Sequence, residues 1–376
     1  MKILFYLRIV VMGGAEHYLI RLLPELKKRN IEVGFFCTRQ SDNHQIINDF
    51  INHFEPHNIP VHVCDSSSVL SLKAARMLAK TVSKERYTIL SAHLMHAEII
   101  CAFSKMVFRP PCKLVVTKHG YLQGFMDVYG LDPTKINKLK PSYQVEKFVQ
   151  NFVEKNFAVS KGLLEFYTRS GICKSSKMEL IYYGLDADFC NQAYTATRYS
   201  DNQVVIVARL KKFKGHRLLI TAINILHKEI PDLKLVIVGD GEERDNLVSM
   251  VNQYQLNSRI IFTGHIDNVS AYIKDADIVI APSLSEPFGL VVLEAYSCSK
   301  PVIAFDVTAF NENIVDNETG YLVKPYDIEL LAGRIKWLLQ NKALARQMGQ
   351  KGKDLLLEKF TMATCVENTI EFFKRI

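Results

Sequence analysis

The chain has 376 residues, 48% hydrophobic and 23% charged, a composition that suits a folded globular protein with room for two domains. No apolar run is long enough for a membrane-spanning helix, and eight scattered cysteines form no C-x-x-C pair, which argues against a zinc or redox motif. The net charge of +8 lies in the first half: residues 1–190 hold 25 Lys and Arg against 17 Asp and Glu (25 − 17 = +8), and residues 191–376 hold 22 of each.

Residues 3–7 read as a first strand rather than a signal peptide, because Arg8 breaks the apolar stretch and no small-residue cleavage site follows. With reduced cysteines, a cytoplasmic location is the expectation. Gly13 and Gly14 come next, then helical apolar spacing at Tyr18, Leu19, Leu22, Leu23 and Leu26. This is strand, Gly-rich loop, helix, without the G-x-G-x-x-G dinucleotide fingerprint. Paired glycines let backbone approach a ligand closely. Glu16 has an ordinary helix-stabilising explanation in the first turn. Residues 31–37 and 59–63 read as strands and 70–83 as an amphipathic helix; 40–58 carries no clear pattern. His93 and His96 follow the strand beginning at Ile89; with no third ligand nearby they read as polar residues at a strand edge rather than a metal pair.

Residues 114–117 form a clear strand with Lys118, His119 and Gly120 at its end. Open α/β sheets bind ligands at that edge. Residues 121–141 read as a loop with a basic cluster, Lys135, Lys138 and Lys140. Residues 143–157 have helical spacing that suits either a membrane interface or an ordinary core-facing helix. Ser160 is placed to cap the helix after the strand at 157–160.

Residues 191–203 are polar and read as a linker. The next strand, 204–208, ends at Arg209, and Lys214 precedes a helix from about 216. Two cations between a strand and a helix suit a diphosphate, Arg for bidentate contact and Lys as a point charge. Glycines at 239 and 241 end another strand. Residues 278–281 form a buried strand, Pro287 and Gly289 break the chain into a tight loop, and a helix starts at Leu290. A helix N-terminus suits phosphate, and the carboxylates of Glu286 and Glu294 can accept hydrogen bonds from sugar and ribose hydroxyls. The plainer reading is a helix start decorated with Glu for its dipole. Two D-x-D strings, at 186–188 and 275–277, read as coincidences rather than metal sites.

The spacing Glu286-x7-Glu294 with Pro-Phe-Gly after the first Glu, together with Arg209 and Lys214, resembles family 4 of the retaining glycosyltransferases. The resemblance implies an α/β architecture of the GT-B type, two facing Rossmann-like parallel-sheet domains with an inter-domain cleft. Residues 1–190 would be an acceptor-binding domain, 191–360 a nucleotide-sugar-binding domain, and 361–376 a helix crossing back to the first. It implies catalytic roles for His119 and Glu286 at the donor sugar, and ribose binding for Glu294. Arg209, Lys214, Gly13, Gly14, Phe288, Gly289 and Leu290 would meet the diphosphate. Family members often carry Asn where this chain has Tyr183, a departure that weakens any role for that side chain.

The reaction implied is transfer of a hexose from a nucleotide diphosphate sugar to a hydroxyl with retention, in cell-surface glycan synthesis (lipopolysaccharide, capsule or glycolipid). The leaving phosphate would take the acceptor's proton while the protein stabilises the charge on the diphosphate. No metal or other cofactor is expected. The expected partners are a nucleotide sugar, a glycan or glycolipid acceptor and an anionic membrane surface met peripherally by the basic half, but not nucleic acid. Two other readings stay open: a sugar-nucleotide epimerase of the same fold, for which acid/base carboxylates cannot be assigned, and a non-catalytic sugar-nucleotide or polyanion binder. A dinucleotide oxidoreductase is disfavoured by the missing fingerprint.

Overall fold

The computed structural model describes all residues except 11, 40–43, 67, 69, 122–131 and 192–197, and leaves out the side chains of 44–46. Parts of the loops expected at 40–58 and 121–141, and of the linker expected at 191–203, therefore lie outside the described residues. The chain divides into two compact units. One combines the described residues of Met1–Gln123 and Leu131–Tyr183 with Met362–Ile376, and the other contains Gly184–Thr361.

In the first unit the strands are β1 (Lys2–Arg8), β2 (Glu32–Arg39), β3 (Val61–Asp65), β4 (Ile89–His93), β5 (Lys113–Lys118), β6 (Lys155–Ala158) and β7 (Met178–Leu180). The helices among them are α1 (Gly14–Lys28), α2 (His44–Asn52), α3 (Leu72–Glu85), α4 (Leu94–Phe108), α5 (Pro141–Val149) and α6 (Lys161–Arg169). The sheet order is β3-β2-β1-β4-β5-β6-β7, all parallel. β1 is buried along its middle without alternation, as a strand covered on both faces must be.

The second unit has β8 (Gln203–Val207), α7 (His216–Leu226), β9 (Lys234–Val238), α8 (Arg244–Gln253), β10 (Ile260–Gly264), α9 (Ser270–Asp275) and β11 (Ile278–Ala281). It continues through α10 (Leu290–Ser297), β12 (Val302–Phe305), α11 (Phe310–Asn313), β13 (Gly320–Val323), α12 (Ile328–Gln340) and α13 (Lys342–Lys359). Its parallel sheet runs β10-β9-β8-β11-β12-β13. The last helix, α14 (Met362–Lys374), packs on α1 in the first unit. There Phe373 meets Phe5 and Phe372 meets Phe157 edge-on, with ring centroids 6.0 and 5.1 Å apart.

Each sheet reverses its strand order once, between β1 and β4 in the first unit and between β8 and β11 in the second. Crevices for ligands open at the C-terminal ends of strands at such points. The helical spacing at 143–157 is misleading: α5 stops at Val149, and Lys155–Ala158 pairs with β5 instead. Ser160 does cap α6, its hydroxyl accepting from the Leu163 N–H at 3.2 Å.

Candidate active site

In the second unit the loops after β8 and β11 meet at the switch point. Three residues of the first loop, Lys212–Lys214, form a single 3-10 turn. Gly215 then adopts φ +76°, and a Cβ there would lie 1.9 Å from the carbonyl oxygen of Pro282. Only glycine permits that approach. The Leu284 N–H donates to the Phe213 carbonyl at 2.7 Å, which ties the two loops together. Lys214 Nζ donates to Glu286 Oε2 at 2.6 Å, with side chains 16% and 11% exposed. Arg209 lies exposed just past the end of β8.

Gly289 holds φ +88° and opens α10 at Leu290; a Cβ there would strike the Phe310 ring at 2.6 Å. Phe288 is buried, and its carbonyl accepts from Asn313 Nδ2 at 2.7 Å. The turn that presents the first N–H groups of α10 is thus fixed from below. Glu294 is half-buried one turn into that helix. Arg209, Lys214, Glu286, Phe288, Gly289, Leu290 and Glu294 are therefore gathered around the adjacent ends of β8 and β11.

His216, the first residue of α7, escaped notice in the sequence. It is buried with neither ring nitrogen hydrogen-bonded among the described residues. Burial, with Lys214 nearby, holds it neutral and depresses its pKa to about 4.

In the first unit Gly13 caps α1 with extended backbone that any residue could adopt, and Gly14 begins the helix. A Cβ on Gly13 would lie 3.2 Å from Glu16 Oε2, so the turn is built close over that buried carboxylate. His119, expected at a ligand edge, is 8% exposed. Its Nε2 lies 2.7 Å from His93 Nδ1, and its Nδ1 is hydrogen-bonded to the Tyr183 hydroxyl. His93 Nε2 in turn lies 3.1 Å from Ser91 Oγ. Tyr18 packs against both His119 and Tyr183, with centroids 5.6 and 4.7 Å away. His93 is thus a buried partner of His119 as well as a strand-edge residue, and Tyr183 makes a contact although its departure from the family pattern weakened the case for a role.

Beside this line Lys118 is fully buried between two carboxylates. It donates to Glu98 Oε2 at 2.6 Å and to Glu146 Oε1, and lies over the Tyr167 ring. Burial, with Glu146 close by, raises the Glu98 pKa to about 8. Burial and the adjacent Lys118 charge lower that of His119 to about 3. Glu98 and Glu146 were readable in principle, as lone acids at core-facing positions of α4 and α5.

Among the described residues no group of three or more His, Cys, Asp or Glu is placed to hold a metal. Asp277, in the second D-x-D string, accepts from the Gln203 N–H at 2.9 Å and pairs with Arg198 and Lys342, a structural use. No helix among the described residues is long and apolar enough to cross a membrane.

Residues 12–189 match the family described as Glycosyltransferase Family 4, and residues 193–355 match Glycosyl transferases group 1. The chain is similar to the O-antigen biosynthesis glycosyltransferase WclY of Escherichia coli, 27% identical over 98% of this chain and 97% of that one. It is similar also to N-acetyl-alpha-D-glucosaminyl L-malate synthase of Bacillus anthracis, 26% identical over 77% of this chain and 75% of the relative. In fold it is similar to Anabaena HepE, solved in complex with UDP-glucose, with a TM-score of 0.82, 21% identity and both chains covered in full. Sucrose-phosphate synthase from Thermosynechococcus elongatus gives a TM-score of 0.82 at 21% identity, covering 100% of this chain and 99% of that one.

Proposed function

This chain belongs to the group 1 (family 4) glycosyltransferases and has their GT-B architecture of two Rossmann-like domains. From that premise we propose that it transfers a hexose from a nucleotide diphosphate sugar to a hydroxyl of a glycan or glycolipid, retaining the anomeric configuration. The observation that carries this reading is the Lys214–Glu286 pair, which joins the loops after β8 and β11 beside the start of α10. In this scheme Arg209, Lys214 and the first amides of α10 meet the diphosphate, Glu286 the sugar and Glu294 the ribose. Gly13 and Gly14 are assigned to the diphosphate as well. His119, with both ring nitrogens already engaged, serves the donor sugar as a fixed neutral ring rather than as a proton donor. Charge on the leaving group is met by protein cations without a metal, so EDTA should leave turnover unchanged.

The similarity to WclY supports a place in cell-surface glycan synthesis, and the complex of HepE with UDP-glucose supports a uridine donor. The test is a melting-temperature screen of nucleotide sugars, because a ligand that binds only the folded state raises stability. The best donor is then followed by proton NMR. We expect a UDP-hexose to raise the melting temperature and the new linkage to keep the donor's configuration. An inverted product would overturn retention. Conversion of the donor sugar without transfer would point to an epimerase, and binding without turnover to a non-catalytic binder.

We also propose that the first domain meets an anionic membrane surface. α5 exposes Val145 and Phe148 next to exposed Lys147, and Leu139, 83% exposed, stands among Lys135, Lys138 and Lys140. Apolar side chains ringed by lysine suit a lipid headgroup layer.

A further inference from the structure

We infer that Ser91, His93 and Tyr183 are positioning residues for His119, joined to it in one buried line of hydrogen bonds that fixes which of its ring nitrogens carries the proton. The inference rests on the reading of His119 as a group that meets the donor sugar.

The line has four members in one domain: Ser91 Oγ to His93 Nε2 at 3.1 Å, His93 Nδ1 to His119 Nε2 at 2.7 Å, and His119 Nδ1 to the Tyr183 hydroxyl. Ser91 and His93 belong to β4, His119 follows β5, and Tyr183 follows β7. All four are buried. The His93 and His119 rings stack with centroids 4.9 Å apart, and His119 and Tyr183 stack at 5.8 Å. Neither imidazole can turn over without breaking one of these contacts.

A neutral imidazole carries one N–H and one acceptor nitrogen. Between His93 Nδ1 and His119 Nε2 there is room for a single proton. If His93 donates, its Nε2 accepts from Ser91, and the proton of His119 sits on Nδ1 and points to Tyr183. If His119 donates instead, Tyr183 donates to its Nδ1, and the His93 proton sits on Nε2 and points to Ser91. In both arrangements the two rings carry their protons on the same kind of nitrogen. The tautomer of His119 is therefore tied to that of His93 and to two hydroxyls, that of Tyr183 one contact away and that of Ser91 two contacts away. A carboxamide at position 183 would be shorter than the phenol and would need a different link to the ring.

The experiment uses the full chain labelled with ring-15N histidine. In wild type we expect one shared tautomer on His93 and His119 and no titration of either between about pH 5 and 8. Tyr183→Phe keeps the ring but removes the hydroxyl. It should leave His119 without a single tautomer and lower kcat on the order of ten-fold, with little change in KM for the nucleotide sugar selected by the melting screen. His93→Asn keeps a hydrogen-bonding group near the Nδ1 position, whereas His93→Leu does not. Asn should retain most of the activity that Leu loses, with melting temperature confirming that both variants fold.

Opposite tautomers on the two rings would overturn the inference. So would full kcat and an unchanged His119 signal in Tyr183→Phe. His119→Ala separates the two claims. Full turnover in that variant sinks the donor-sugar reading itself. Lost turnover there, with Tyr183→Phe and His93→Leu both fully active, sinks only the positioning line.

Discussion

The Lys214–Glu286 contact makes two substitutions at one salt bridge come out differently. Lys214→Ala removes the point charge and leaves a half-buried carboxylate facing where phosphate would sit. We expect UDP to bind on the order of ten- to a hundred-fold more weakly, the worth of a charge-assisted hydrogen bond, while uridine binding hardly changes. Glu286→Ala frees Lys214 and removes a carboxylate, so UDP should bind at least as well while most turnover is lost. Calorimetry with UDP and uridine, paired with a turnover assay, checks both; equal losses for the two ligands in Lys214→Ala would count against a phosphate contact. These two residues were legible because each stands in a local strand–loop–helix pattern. The contacts of His93, Tyr183, Glu98 and Glu146 were not, although the two acids stand out as lone acids at core-facing positions of α4 and α5. Apart from Ser91 beside His93, their partners lie between 20 and 64 residues away in the chain, and only the order of strands brings them together.

At the scale of elements, many strands and helices could be read from apolar runs and periodicity, and Pro287 and Gly289 marked one loop of the site as Arg209 and Lys214 marked the other. The failure at 143–157 is instructive. Val145, Phe148, Val149, Phe152 and Val153 keep a helical period, yet the chain leaves the helix at Gln150, and the paired side chains of Gln150 and Asn156 brace the turn into β6. Sheet pairing with β5 outweighed the local pattern. The same segment carries the membrane proposal, because α5 buries Tyr143, Glu146 and Val149 while Phe148 stays 49% exposed. Binding to vesicles containing phosphatidylglycerol should fall as salt rises and be weakened by Phe148→Ser. Equal binding to neutral vesicles would remove the idea.

For the whole molecule, buried ionisable groups set the response to acid. Burial holds four histidines neutral: His93 falls well below its ordinary range, His96 and His216 to about 4, and His119 to about 3. The unfolded chain protonates them below about pH 6.5, so it then binds more protons than the folded one and stability falls with pH. Glu98 acts with the opposite sign. Raised to about 8, it keeps a proton in the fold that the unfolded chain has lost above about 4.5, so its contribution declines as pH rises through that interval. Four groups against one decide the acid side; on the alkaline side Glu98 is joined by buried thiols such as Cys37 and Cys112, which burial pushes up to about 12 and about 11. The melting temperature should peak near about pH 7, where the four histidines of the unfolded chain together hold about one proton to balance Glu98, drop toward pH 5 and slope gently down toward pH 8. His216→Asn should flatten the acid limb; a melting temperature constant from about pH 7 to 5 would refute the assignment.

The return of α14 to the first domain has a consequence for biogenesis. Phe5 and Phe157 wait for Phe373 and Phe372 until the whole second domain has been synthesised. Meanwhile the ends of the second domain are already fastened, with the Leu185 N–H donating to the Phe360 carbonyl at 2.9 Å. A chain cut short before α14 would have its second domain complete while Phe5 and Phe157 of the first still lack their aromatic partners, bare surface that chaperones and proteases can recognise.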